Sequence, residues 1–115
     1  GVTTNRTMRK IEGYDGTNVW STNTTTAQLG ILGGSAVTAN TFTNTEFYIP
    51  NYAGSNYKSI SSDYTSENNS STSNALGLVA GLWSSTSAIN QITISSSTGN
   101  FVQYCTAYLY GIKNS

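Results

Sequence analysis

Asn74-Ala75-Leu76-Gly77-Leu78-Val79-Ala80-Gly81-Leu82-Trp83 is the most hydrophobic run in the chain, and whether it coils or extends decides the fold. Periodicity alone leaves a short apolar run open to either reading. Its glycines settle the matter, because Gly77 and Gly81 would each cost a helix about 1 kcal/mol relative to alanine. Extended, the run sorts Leu76, Leu78, Ala80 and Leu82 onto one face and Gly77, Val79, Gly81 and Trp83 onto the other. It is expected to be a central strand with the leucines in the core.

A second decisive stretch closes the sequence: Gly99-Asn100-Phe101-Val102-Gln103-Tyr104-Cys105-Thr106-Ala107-Tyr108-Leu109-Tyr110-Gly111-Ile112. Cys105, Ala107 and Leu109 alternate with Thr106, Tyr108 and Tyr110, giving one small, apolar side and one aromatic, hydroxylated side. A Gly-Asn turn signal precedes it and no proline interrupts it. The spacing predicts a closing strand whose Tyr104, Tyr108 and Tyr110 stripe meets the second sheet or a neighbouring subunit.

Between the start and these stretches, Val2–Glu12 reads as a polar strand with Met8 and Ile11 as its best buried positions. Gly13–Asn18 is a turn by composition and Trp20–Thr26 a loop. Ala27–Leu32 is a short apolar strand, and Thr41–Ile49 a strand stopped by the sole proline, Pro50. Tyr57–Tyr64 is a strand with Ile60 inward, and Thr65–Asn74 an exposed loop. Ile89–Ser95 is a strand with Ile92 and Ile94 on one face. About seven strands joined by turns predict one all-β domain over residues 1–115, an antiparallel sandwich or barrel with Leu76, Leu78, Leu82, Ile92, Ile94 and Leu109 in its core.

Composition agrees. Charged residues make up 9% of the 115 residues, against about 25% in ordinary domains. Serine, threonine and asparagine supply the missing polarity, which suits strands and turns. Zero net charge with eight tyrosines, two tryptophans and three phenylalanines argues for a packed chain over a disordered one. Five basic residues are too few for a phosphate-binding surface, so nucleic acid is not an expected partner. Arg6 and Lys10 would share one face of a strand and Arg9 the other, as on a charge-protected edge. No apolar run approaches the ~20 residues that cross a bilayer, and no signal peptide is apparent. The chain opens on Gly1 without an initiator methionine, so a processed product or a domain from a longer chain is expected.

The residues offer little to a reaction. Histidine is absent, which removes the Ser-His-Asp triad, the Cys-His dyad and the commonest metal ligand. Cys105 is the single cysteine and reads as a buried structural thiol. Asp63 and Glu67 are the best carboxylate pair for glycoside hydrolysis, and their plainer reading is a loop entry. Asp15-Gly16 reads as a turn before it reads as a calcium loop. No catalytic residue, cofactor or metal site is therefore assigned, and the chain is expected not to be an enzyme. What remains are aromatics in or beside turns, Tyr14, Trp20, Tyr52 and Tyr57, which could stack on sugar rings, anchor a protein partner, or close the ends of a sandwich.

The segments GYDGTNVW, FYIPNYAGSNYKSISSDYTSENN, GLVAGLWSSTSAINQITI and GNFVQYCTAYLYGIKNS resemble the jelly-roll-like β-sandwich modules of tailed-bacteriophage virion proteins. Such modules occur on fibres and on capsid-bound decoration or spike proteins. The likeness covers nearly the whole chain and is most specific at Ile49–Tyr52, at Gly81-Leu82-Trp83 with Ser87-Ala88-Ile89, and at Leu109–Ile112. It implies a non-enzymatic role on the virion exterior, in particle reinforcement or host-surface adhesion, commonly as a homotrimer among other virion proteins. It carries over no active-site residue. The family pattern has further strands ahead of the point where this chain begins, so a missing edge would come from upstream residues or a neighbouring subunit. A stand-alone carbohydrate-binding module, reading host-surface glycans through the turn aromatics, is the alternative.

Overall fold

The computed structural model describes residues 5–33, 37–72, 74–97 and 99–113. Every regular element among them is a β-strand: β1 (Arg6–Tyr14), β2 (Asn18–Thr24), β3 (Asn44–Tyr48), β4 (Lys58–Ser66) and β5 (Ala75–Trp83). They form one antiparallel sheet in the order β2-β1-β5-β4-β3. The decisive run is thus the central strand, hydrogen-bonded to β1 on one side and β4 on the other. The β1–β2 hairpin turns at Asp15 and Gly16, both at positive φ (53° and 65°), the pairing of residue types that such a turn demands.

The chain leaves β2 at one edge and reaches β3 at the other by crossing one face of the sheet. Along that crossing the Gln28 amide donates to Met8 Sδ (3.1 Å) and the Ser62 hydroxyl donates to the Leu29 carbonyl. Leu29 and Ile31 pack on a core of Met8, Tyr64, Ala75 and Val79. Ala27–Leu32, expected as a strand, therefore lies over the sheet without joining its ladder.

Two glycines explain which face is covered. Gly77 stands opposite Tyr64 in the register, and a Cβ at Gly77 would collide with the Tyr64 ring. A Cβ at Gly81 would come within 3.2 Å of Met8 Cε and 3.4 Å of Ile60 Cβ. The small side of β5 thus makes room for large side chains from both neighbours to fold over it. Its bulky side faces the other way.

The expected core is corrected on this point. Leu76, Leu78 and Leu82 are exposed on the uncrossed face, and Ile92, Ile94 and Leu109 are exposed as well. Ile11, expected with Met8 as a buried position, is exposed, because residues three apart fall on opposite faces of a strand, and other expectations change too. Trp20–Thr26, expected as a loop, is strand as far as Thr24, within β2; exposed along nearly all its length, β2 lacks the apolar alternation that marks a half-buried strand. Ile89–Ser95 and the closing stretch carry no strand, and Cys105 is exposed. A turn at Gln103-Tyr104, with Tyr104 at φ 72° and the Cys105 amide on the Val102 carbonyl (3.3 Å), breaks the run that read as continuous. The five strands make a single layer where two were expected.

Candidate functional site

The uncrossed face of the sheet is the candidate site. Odd positions of β1 and even positions of β5 share it, because Ile11 pairs with Leu78 and Arg9 with Ala80. A shallow groove runs across it, floored by Ile11, Leu78 and Ala80. Arg9, Ser21 and Asn23 form one wall, with Arg9 Nη1 donating to Asn23 Oδ1 (3.0 Å). Ser61 and Asp63 form the other. Farther out, Glu46 of β3 stands directly opposite Asp63, placing two carboxylates side by side, an arrangement that disfavours itself without a cation nearby. Leu78 is 64% exposed, a large value for the middle of a central strand.

Beyond β5 the chain is tied down only at first. The Ser84 amide donates to the Asn5 carbonyl (2.8 Å) and the Ile89 amide to the Tyr52 carbonyl (2.9 Å). Lys58, almost wholly buried, sends its ammonium to the carbonyls of Gly54 (2.7 Å), Ser85 (3.3 Å) and Ser87 (2.5 Å), with the Trp83 ring 5.5 Å away. The later part is an exposed arm. Tyr104, Tyr108, Leu109, Tyr110 and Ile112 are each three-quarters exposed or more. Tyr108 and Tyr110 stack at 6.5 Å, as two residues on one side of an extended chain do.

The turn aromatics fall into two groups. Tyr14 and Trp20 stack at 5.9 Å beside the β1–β2 turn, at the end of the sheet where β5 begins. Tyr52 and Tyr57 lie before β4, at the end where β5 finishes. Nine strand residues, ~30 Å, separate the ends, so the four do not share one platform. Tyr104, Tyr108 and Tyr110 sit together on the arm. Asp63 lies on the open face, whereas Glu67 caps a local turn by accepting from the Asn69 amide (2.8 Å).

One polar cluster escaped the sequence reading. Glu12, buried on the crossed face, accepts from the Tyr64 hydroxyl (2.6 Å) and pairs with Lys10 (2.8 Å). Burial pushes the Glu12 carboxyl up, but bonds from Lys10 and Tyr64 and the lysine charge outweigh it and hold the group below its usual range. Burial, then the bond to Glu12 and its negative charge, drive the Tyr64 phenol well above its ordinary value. The Lys10-x-Glu12 spacing on a strand was the one available signal, and the tyrosine comes from a strand some fifty residues on. The cluster is lodged between sheet and crossover, which suits a structural role.

Among the described residues no helix is long and apolar enough to cross a membrane, and no group of three or more acidic or cysteine side chains gathers as metal ligands would. No protein-family model, curated protein or solved structure matches the chain.

Proposed function

We propose that the chain is a non-enzymatic structural module of a tailed-phage virion, a tail-fibre or capsid-surface subunit acting in particle assembly or host-surface adhesion. The observation that carries this reading is the uncovered bulky face of β5, Leu76, Leu78 and Leu82, in a chain that also exposes its aromatic arm. Burying a leucine is worth ~2 kcal/mol, so a module that leaves three on a central strand is built to be covered. The jelly-roll-like sandwich then arises on assembly, the second layer being supplied by neighbours, with a homotrimer favoured. The virion setting rests on the resemblance of the segments quoted above. Imaging of particles carrying a gold-labelled copy tests it: label on the exterior at fixed, symmetry-related positions is expected, and a well-behaved monomer that never joins particles contradicts it.

The stacked, part-exposed Tyr14–Trp20 pair favours a second reading, a lectin-like module. A glycan array separates the two. Trp20→Ala abolishes array binding if the lectin reading holds and leaves assembly intact in either case.

A further inference from the structure

We propose that the arm of one copy, residues 105–112, lies across the open sheet face of a second copy, its Thr106, Tyr108 and Tyr110 side turned toward the groove over Ile11 and Leu78. This names the partner surface for the assembly reading and rests on it.

Four observations on the chain's own surfaces carry the inference. Both surfaces are apolar and both are bare: Leu78 is 64% exposed, Tyr108 77% and Tyr110 81%, so the arm does not serve its own sheet. Their dimensions agree, since eight extended residues span ~26 Å and the nine of β5 ~30 Å. Their chemistry agrees too. The groove has an apolar floor between polar walls, Arg9 and Asn23 on one side and Ser61 and Asp63 on the other. Tyrosine has an apolar ring to lay on such a floor and a hydroxyl to reach such walls. Finally, Glu46 stands just outside the Asp63 wall, and Lys113, the single charged side chain from residue 99 to 113, directly follows the arm. The shape of the exchange also closes: each copy offers one arm and one face, so a ring or a reciprocal pair leaves neither exposed.

Cross-linking between two co-expressed variants tests this. Both carry Cys105→Ser; one adds Thr106→Cys on the arm, the other Ser61→Cys on the groove wall, each at an exposed position. A short bismaleimide is used because packed layers stand ~10 Å apart, beyond disulfide reach. The expected product is a covalent dimer whose linked peptides contain positions 61 and 106, formed far more readily than either homodimer. Sedimentation on the same sample separates the possible failures. An oligomer without the 61–106 link overturns the arm-on-face arrangement and leaves the assembly reading standing. A monomer overturns both. A third variant with both cysteines in one chain covers the intramolecular case, and a 61–106 link within a monomer overturns the inference by assigning the arm to its own face. A 61–106 dimer from a chain absent from particles supports the inference and removes the virion role.

Discussion

The covered face of this sheet is governed by residues with almost no side chain. Gly77 exists where Tyr64 must lie flat across the neighbouring strand, and any Cβ there meets the ring. Gly77→Ala is expected to destabilise the protein by about 1–3 kcal/mol through overpacking, read as a lower denaturant midpoint with an unchanged slope. Tyr64 in turn hydrogen-bonds Glu12, whose titration is expected to contribute to the acid limb of stability. The folded carboxyl is held below its unfolded value, so its contribution is fully present above the unfolded pKa, about 4.3, and is lost as pH falls through the folded one. Unfolding followed from pH 7 to pH 2 should therefore show a drop that Glu12→Gln flattens. Equal acid limbs in the two proteins would remove Glu12 from the account. These residue roles were hidden in the sequence for a plain reason: bulk was read as a mark of the interior, whereas here smallness marks it.

Elements were legible wherever the chain alternates strongly. β5 could be placed because its leucines recur at period two and β3 because Thr41–Ile49 alternates; β1 and β4 were placed within Val2–Glu12 and Tyr57–Tyr64 without so regular a pattern, and Asp15-Gly16 marked its turn by conformational need. β2 was not, because an edge strand wet on both sides carries no such pattern. The segment after β5 shows the opposite failure: Ile89–Ser95 and the arm have strand-like alternation without strand partners among the described residues. Pattern reports what a segment could bury and says nothing of where its partner resides. The early part of that segment is fixed by Lys58, which holds two of its carbonyls and one from the turn before β4. Lys58→Met would leave those carbonyls without their donor, at a cost of about 1–3 kcal/mol. Hydrogen exchange at the Ile89 amide, now bonded to Tyr52, should quicken in that variant more than exchange within β5.

Viewed whole, the molecule buries too little for its size. Four apolar side chains form the buried core, against twenty large hydrophobic residues left exposed among those described. A domain of this length ordinarily removes well over half of its surface from water, so the deficit points outward, to association. The candidate site was half readable on this scale. Tyr104, Tyr108 and Tyr110 could be picked out by alternation, but the groove they match is built from four strands and emerges only with the register. Replacing Tyr108 and Tyr110 together by aspartate should weaken self-association by at least about tenfold, or 1.4 kcal/mol, while leaving the sheet's circular dichroism unchanged. The most direct test of the covered leucine face is hydroxyl-radical footprinting of the native protein at working concentration, comparing Leu78 and Tyr108 with Trp20, which stands on the crossed side of the outer strand at 52% exposure. Strong protection of Leu78 and Tyr108, lost on dilution, is the predicted result. Labelling of both at the rate expected of their bare exposure, at every concentration, would contradict it.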